Sequence, residues 1–469
     1  MNYASSLSHP VFKVASEIVS ENNLEAYVIG GFVRDLILDR PSKDIDIVVI
    51  GNGLDLAKAC AKKLRVKKVS LFEKFGTAQF CYKDLDVEFV GARKESYRSD
   101  SRNPIVENGS LEDDQNRRDF TINALALSLH KDNFGELIDP FNGIQDLENG
   151  ILKTPLAPTQ TYIDDPLRMM RAIRFASQLN FKIENESLLA IKENADRLDI
   201  ISIERTMEEV NKIILSETPS RGFKLLYNTG LLEQFFPELI ALKGVEIRDG
   251  KTHKDNFFHT LEVLDNVCLF TDDLWLRWAA IMHDIAKAPT KRFDKRAGWT
   301  FHGHEELGAK MTPRIFKRLK LPMDAKMKYV QKLVRLHLRP IALVKDIVSD
   351  SAVRRLLFEA GDDIEDLMKL CKADITSKNE MKVKRFKKNF DEVIAKLKSI
   401  EEKDHVRNFQ PPIDGQLIMD TFNIPPCAAI GEIKNSIKEA ILEGEIPNEF
   451  EPARDLMLEL GKARGFSSK

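Results

Sequence analysis

The stretch Tyr27–Ile50, YVIGGFVRDLILDRPSKDIDIVVI, places two glycines, an arginine and two alternating aspartates in one short span. A run of strand-forming residues enters Gly30-Gly31 and leaves as a helical pattern. Such a strand–turn–helix points free backbone N–H groups above the turn, where phosphates bind. Glycine lets the backbone approach a ligand closely, and Arg34, one helical turn on, is placed to pair with the same anion. Asp44 and Asp46 lie two apart on a strand, so their carboxylates project from one face. Two hard oxygen ligands side by side suit Mg²⁺, and two such ions serve an in-line phosphoryl displacement. A plain turn and a solvated strand edge would explain each motif alone. Their combination at this spacing favours a nucleotide site.

Working outward, DLDVEFVGAR offers a third carboxylate. Glu88 is the better candidate, because apolar Val87, Phe89 and Val90 mark a buried strand on which a charge needs a reason to be present. A charge at the strand edge is the alternative. Up to about residue 130, strand-like runs (AYVI, DIDIVVI, TAQFCY, LDVEFVGA) mix with helical ones, which predicts a small α/β domain. Beyond it the strands are expected to stop, so the fold class is α+β with a helical remainder. Lys94 to Asn116 is polar and aperiodic and is expected to be a long mobile loop. A domain boundary is expected in EIRDGKTHK, Glu246 to Lys254, and the paired prolines of RNFQPPIDG suggest a linker into a small helical C-terminal unit.

The chain has 469 residues, enough for about three domains, and a formal net charge of −2. Nucleic acid must therefore be held by local basic patches, because the molecule as a whole is not cationic. Five scattered cysteines without CxxC spacing suit a reducing compartment. Neither a signal peptide nor a membrane span is expected, and a cytoplasmic protein is. Oligomeric state is left open.

In DDPLRMMRAIRF, Asp165, Arg168, Arg171 and Arg174 recur every third residue of a helix opening at Pro166. Each step drifts about 60° around the axis, so the first members share a face and Arg174 turns away. The glycine pair with VRD, the DxD, RRDFTINALAL at Arg117 to Leu127 and DDPLRMMRAIRF together resemble the successive motifs of class II tRNA nucleotidyltransferases, a family that includes CCA-adding enzymes and bacterial poly(A) polymerases. The resemblance implies a polymerase-β-like head at residues 1–150, in which Asp44 and Asp46, with Glu88 beside them, are the catalytic, Mg²⁺-binding carboxylates. It further implies a nucleotide held by Gly30, Gly31, Arg34 and Arg118, and a helical neck at 151–250. In the neck Asp165 and Arg168 act as a protein template, and Arg171 and Arg174 continue the nucleotide-facing series. Cytosine and adenine each present an amino donor beside a ring-nitrogen acceptor, which a carboxylate and a guanidinium fit, whereas uracil and guanine present a carbonyl beside an N–H. One departure stands: the family's commonest form has Glu where this chain has Asp164. The following ISIERTMEEVNKIIL is assigned a structural role.

Farther on, His259, His283, Asp284, His304, His337 and Asp374 resemble the ligand series of the HD family of metal-dependent phosphohydrolases. That implies an HD domain at 251–380 with one or two metal ions, a transition metal among the candidates. The run KVKRFKKNF, with Lys382, Lys384, Arg385, Lys387 and Lys388, is the candidate RNA contact in a helical tail at 381–469; a solvated helix face is the alternative. The expected activity is addition of CCA to the 3′ end of tRNA from CTP and ATP, with or without phosphohydrolase activity at the HD site. The alternatives are a poly(A) polymerase, a CC- or A-adding specialist, and an HD phosphohydrolase with a nucleotide-sensing head.

Overall fold

The computed structural model describes residues 1–73, 76–98, 101–345, 349–376, 380–404, 407 and 409–467; side chains of residues 96–98, 101–105, 344, 345, 380, 382–387 and 404 lie outside that description. The chain divides into two compact units, Met1–Pro237 and Glu238–Lys469.

The first unit starts with α1 (Pro10–Glu21), whose Pro10 occupies a first turn where its missing N–H is not needed. β1 (Glu25–Ile29), α2 (Gly31–Ile37), β2 (Asp44–Ile50) and α3 (Gly53–Lys63) follow, then β3 (Ser70–Phe72), β4 (Thr77–Tyr82) and β5 (Leu85–Gly91). With β8 (Ala126–Ser128) and β9 (Leu137–Ile138), these strands form a sheet in the order β3-β4-β5-β2-β1-β8-β9. Buried Val28, Ile29, Ile45, Ile47, Val49, Val87 and Phe89 fill the interior against which it is packed. All pairings are antiparallel except β2 with β5, whose parallel register sets Asp44 opposite Asp86 and Asp46 opposite Glu88. Across β1, Ile29 sits opposite Asp46, so the Gly30 turn, the aspartate pair and Glu88 meet at one end of the sheet.

The segment expected to be a loop is ordered backbone instead. β6 (Arg93–Arg98) and β7 (Ser101–Asn108) form an antiparallel hairpin, followed by α4 (Leu111–Asn116). The helix is started by a capping box: Ser110 Oγ accepts from Asp113 N at 3.1 Å while Asp113 Oδ2 accepts from Ser110 N at 2.9 Å. Strands also continue past residue 130, as β9 and the short parallel pair β10 (Ile151–Leu152) and β11 (Lys182–Ile183). Two-residue strands are too short for any periodicity to show in sequence.

Helices α5 (Gly143–Asn149), α6 (Pro158–Asp164), α7 (Leu167–Gln178), α8 (Asn185–Glu193), α9 (Ile203–Ile214), α10 (Pro219–Asn228) and α11 (Leu231–Phe235) complete the unit. α7 buries Met169, Met170, Ala172, Ile173, Phe175 and Ala176, and packs against α9 and α10. Gly222 of α10 makes that approach possible: a Cβ there would lie 2.4 Å from Ile213 Cγ2 and 3.2 Å from Ser177 Oγ.

The chain passes into the second unit at α12 (Pro237–Ile240), ahead of the expected Glu246–Lys254 boundary, because Leu239 and Leu242 are already buried and the Leu242 carbonyl accepts from Phe257 N at 3.2 Å. The polar stretch forms the hairpin β12 (Ile247–Arg248) and β13 (Lys251–Thr252). Then come α13 (Asn256–Cys268), α14 (Leu274–Met282), α15 (Lys287–Thr290), the hairpin β14 (Arg292–Asp294) and β15 (Gly298–Thr300), α16 (His304–Arg318), α17 (Ala325–Leu336), α18 (Leu338–Lys345), α19 (Asp350–Ala360) and α20 (Ile364–Asp374). Buried Phe257, Trp278 and Phe316 lie in this helical core. The long α21 (Glu380–Asp404), α22 (Gly415–Phe422), α23 (Ala428–Glu443) and α24 (Phe450–Ala463) end the chain.

Gly222→Ala is expected to destabilise the first unit by about 1–3 kcal/mol through overpacking against Ile213. Thermal melts of both proteins, with α-helical ellipticity as the signal, check this; an unchanged melt would show that α10 has room to move.

Candidate functional site

A cavity of about 280 Å³ in the first unit is lined by Asp46 and Glu88 from adjacent strands, by Arg93, Arg117, Arg118 and Asp119, and by Asp165, Arg168 and Arg171. Sheet carboxylates and the α7 series thus share one space. Asp46 is half-buried and Asp44 exposed at the start of β2. Burial pushes the Asp46 carboxyl up, against the pull of Arg118 and with the push of Asp44; Glu88 is raised by burial and then by Asp46. Carboxylates whose ionisation is hindered by burial and by neighbouring carboxylates form a pocket that a dication relieves, which is the donor set Mg²⁺ takes.

Gly30, at φ +86°, adopts a conformation that L side chains rarely take, and a Cβ there would lie 2.8 Å from Arg118 Nη1 and 3.3 Å from Asp46 Oδ2. Arg118 is aimed by Asp114, which is fully buried. Asp114 Oδ2 accepts from Arg118 Nε and Nη2 at 3.2 and 3.0 Å, and Oδ1 accepts from Arg117 Nε at 2.9 Å. The Arg117 carbonyl in turn accepts from Arg168 Nη2 at 2.6 Å. Asp165 closes α6, and its Oδ1 accepts from Leu167 N, the first residue of α7, at 3.2 Å.

A second network supports these groups from beneath. Asp119 Oδ2 pairs with Arg171 at 2.6 and 2.7 Å, and Oδ1 accepts from Phe120 N and Asn123 Nδ2, both at 2.9 Å. Burial opposes ionisation of Asp119, but Arg171 and the Asn123 hydrogen bond overcome it and hold the carboxyl down at about 2. Asn123 Oδ1 accepts from Arg34 Nη1 at 2.8 Å, and Asp35 takes Arg34 Nε and Nη2 at 2.9 and 2.8 Å. Arg34, Arg171 and Arg174 all lie over the Phe175 ring, at 4.9, 5.4 and 3.9 Å. Arg174 points away from the cavity into a buried ion pair with Glu209 at 2.5 Å. The structure therefore brings Asp46, Glu88, Arg118, Asp165, Arg168 and Arg171 together. Arg34 and Arg174 are engaged below the cavity, because each has a buried anionic or amide partner there. Sequence reasoning missed Asp114, hidden in the supposed loop, and Asp119, whose signal was its place in RRD.

In the second unit the HD residues converge. His259 Nε2 lies 2.9 Å from Asp374 Oδ1; His283 Nε2 and His304 Nε2 each lie 3.2 Å from Asp284; His337 Nε2 lies 3.9 Å from Asp284 Oδ1. Three Nδ1 atoms, of His283, His304 and His337, face main-chain carbonyls of Ala280, Phe301 and Val334 at 2.7, 2.8 and 2.6 Å. A carbonyl only accepts, so each Nδ1 carries a proton and each Nε2 is turned inward; at His283, burial opposes the charged ring but Asp284 outweighs it and raises the pKa. Nε2 of His304 and His337 are 3.3 Å apart, buried His283 Nε2 has no well-aligned hydrogen-bond partner, and Asp284 Oδ2 is held by an ion pair with Lys287. Ring nitrogens facing one another around a buried carboxylate fit a metal ion, and the sets His259–His283–Asp284 and Asp284–His304–His337 each have ligand atoms within 4.8 Å. Burial pulls His337 down to about 4, with His283 adding to it, which keeps the ring neutral and ready to ligate. Asp284 stays ionised despite burial because of His283 and of Lys287, whose Nζ is 2.6 Å away, a contact absent from the sequence expectation. Thr376 Oγ1, 3.1 Å from His259 Nδ1, was missed as well.

Comparison with known proteins agrees with this geometry. The A-adding tRNA nucleotidyltransferase of Deinococcus radiodurans is 33% identical over 434 residues, 90% of this chain and 92% of that protein. The chain belongs to the tRNA nucleotidyltransferase family. Within this nucleotidyltransferase, residues 26–153 match the poly(A) polymerase head domain, 180–242 the probable RNA and SrmB-binding site of polymerase A, and 256–377 the HD domain. The multifunctional CCA protein of Nitrosococcus oceani is 31% identical over 363 residues, 75% of this chain and 84% of that one. In fold, the nucleotidyltransferase is similar to a CCA-adding enzyme solved in its apo form II, with a TM-score of 0.66 at 23% identity and 99% of each chain covered. Nucleotidyltransferase and HD families use divalent metals, consistent with both donor sets. No helix among the described residues is long and apolar enough to cross a membrane.

Asp119→Asn is expected to cost about 1–2 kcal/mol, because the buried carboxylate is lost while Arg171, about a third exposed, keeps contact with water. Asp119 contributes stability that is complete above its unfolded value near 4 and is lost as pH falls through about 2. Acid titration of unfolding should therefore show a component between about pH 4 and pH 2 in the wild type that is missing in the variant.

Proposed function

We propose that this nucleotidyltransferase adds C, C and A to the 3′ end of tRNA from CTP and ATP. The observation that carries the reading is the shared cavity, with Asp46 and Glu88 on one wall and Asp165 and Arg168 on another. The tRNA 3′-hydroxyl attacks the α-phosphorus; a new ester bond forms, the α–β bridging P–O bond breaks, and pyrophosphate leaves with its electron pair. Asp44 and Asp46, with Glu88 alongside, are the residues that would hold Mg²⁺, whose chemistry is to neutralise phosphate charge and lower the hydroxyl's pKa. The Gly30-Gly31 turn admits the triphosphate closely, and Arg118, aimed by Asp114, donates to it. Asp165 accepts from the exocyclic amine of cytosine or adenine, and Arg168, steadied by the Arg117 carbonyl, donates to the ring nitrogen. Arg171, held by Asp119, completes that wall. Arg34 and Arg174 act from below, on the position of α7. Lys382, Lys384, Arg385, Lys387 and Lys388 on α21 are proposed RNA contacts; Lys388 is exposed, and the other four side chains lie outside the described residues.

Addition of A alone is the second reading, favoured by the name of the Deinococcus relative. Transcripts of tRNA ending before CCA, after C and after CC, each given single nucleotides, separate the two: growth only from CC with ATP makes the chain an A-adding enzyme.

We further propose that the HD centre is a phosphohydrolase site, with a transition-metal ion held by His259, His283, Asp284, His304, His337 and Asp374, since imidazole-rich sets favour such ions. His283→Ala is expected to lose bound metal, measured by elemental analysis after dialysis, together with hydrolysis of phosphate esters, while tRNA extension continues. Equal loss of extension in a folded variant would make the two centres interdependent.

Base choice is the sharpest test of the cavity. Asp165→Ala or Arg168→Ala leaves a hydrogen-bonding group of each correct nucleotide unpaired, at about 1–3 kcal/mol, while UTP and GTP lose nothing comparable. Selectivity for CTP and ATP should fall roughly tenfold or more per substitution. Unchanged ratios with only a lower rate would make the two residues structural.

A further inference from the structure

The helix pair α16–α17 carries a local excess of positive charge in a molecule that is nearly neutral overall. From Lys310 to Arg339 there are ten lysines and arginines against one carboxylate, Asp324, in a chain of formal net charge −2. On α16, Lys310, Arg314 and Lys317 follow i, i+4, i+7 spacing, which aligns them in one stripe, and all three are exposed. Lys328, Lys332 and Arg335 repeat that spacing on α17. The opposite faces are core: Ile315 and Phe316 on one helix, Val330, Leu333 and Val334 on the other. The two helices run antiparallel. Gln331 Nε2 donates to the Ala309 carbonyl at 2.8 Å, and His304, at the start of α16, meets His337, just beyond the end of α17.

Part of this charge is neutralised within the unit: Lys332 pairs with Asp363 at 2.6 Å and Arg318 with Glu238. Lys310, Arg314, Lys317, Lys320, Lys328 and Arg335 have no ion-pair partner among the described residues. Like charges one turn apart repel one another; on α17, Asp273, Asp363 and Asp366 share a cavity with Lys328 and Lys332, so the α16 stripe is the one that an anion with several charges in a row would relieve most. Cations recur about every 5–6 Å along each helix, a repeat suited to successive phosphates. Neither stripe contains an aromatic ring on which a base could stack. The segment's exposed large hydrophobic residue, Met323, lies in the connection between the helices, so the stripes themselves offer no wedge for a lipid surface.

We propose that the α16–α17 face is an RNA-backbone binding surface that leads to the HD centre. Both stripes end near metal-ligand candidates: Arg335 is two residues before His337, and Lys310 is less than two turns beyond His304. The surface reads phosphates without regard to sequence and places the bound strand beside the hydrolytic site. The choice of RNA as the polyanion rests on the reading of the chain as an enzyme of tRNA.

The test uses the full-length protein with Lys310→Glu, Arg314→Glu and Lys317→Glu combined, and a second variant with Lys328→Glu and Arg335→Glu. A control reverses exposed Lys13, Lys58 and Lys62 of the first unit to Glu. Binding of tRNA is measured across a KCl series, alongside steady-state nucleotide addition. The α16 variant should bind tRNA at least tenfold more weakly at low salt, with the slope of log K against log [salt] shallower by about two. Its KM for tRNA should rise while kcat at saturating tRNA stays at the wild-type value. Should the Glu variant fail to fold, as judged by circular dichroism, the Gln triple is used and the slope alone decides. Unchanged affinity and slope would overturn the proposal, as would an equal loss in the control. So would retained tRNA affinity with lost binding of inorganic polyphosphate or of phosphatidylserine vesicles, which would assign the surface to another polyanion. A wild-type protein that adds no nucleotide to tRNA would refute the proposed function, while the salt series would still decide the surface.

Discussion

The first unit depends on one ion pair, buried Asp119 with half-buried Arg171. A carboxylate taken out of water must be matched almost completely, and Asp119 is: guanidinium on one oxygen, backbone and amide N–H on the other. Because Asp119 follows β7 and α4 in the chain and Arg171 is on α7, the pair ties the sheet half of the unit to its helical half. Through Asn123 the same network reaches Arg34 at the first turn of α2. The residues that would touch nucleotide are thus held by residues that do not. Their positions are set by a polar scaffold whose own stability is electrostatic.

The two centres handle charge in opposite ways. In the cavity of the first unit, Asp46 and Glu88 are held where ionisation is unfavourable. In the HD centre, Asp284 and Asp374 remain ionised despite burial, because histidines and Lys287 surround them. The first arrangement suits hard ions that come and go with a triphosphate. The second suits an ion that stays, with ligand orientation fixed by main-chain carbonyls at His283, His304 and His337.

The strand–turn–helix at Gly30, the strands β2, β4 and β5, and the helical character of the later chain were legible because each has a clear period or an obligatory glycine. The spacing in DDPLRMMRAIRF places Arg168 and Arg171 on one face and turns Arg174 away, whereas the family resemblance counts Arg174 among the nucleotide-facing residues, and Arg174 is instead paired with Glu209. What sequence did not reveal has a common cause. The sequence of β6 and β7 is largely polar and shows no sustained apolar alternation, so it reads as a loop. Asp114 looked like one acid among several in LEDDQN, since its burial arises from two arginines that follow it and only tertiary contact shows this. Lys287 and Thr376 act on the HD centre through side chains whose neighbours are distant or ambiguous in sequence. The basic run on α21 drew attention as the densest short cluster, whereas the α16–α17 cations are spread over two helices and interleaved with apolar core residues.

The parallel pairing of β2 with β5 inside an otherwise antiparallel sheet carries an evolutionary consequence. Its register alone sets Asp46 beside Glu88. Side chains alternate along a strand, so a slip of one residue would send one carboxylate to the far face of the sheet. Lineages of this protein can therefore exchange the apolar residues of β2 and β5 freely within the limits of volume. A single-codon insertion or deletion in either strand, even one that still folds, would part the two carboxylates. Length, more than composition, is what selection must guard in these strands.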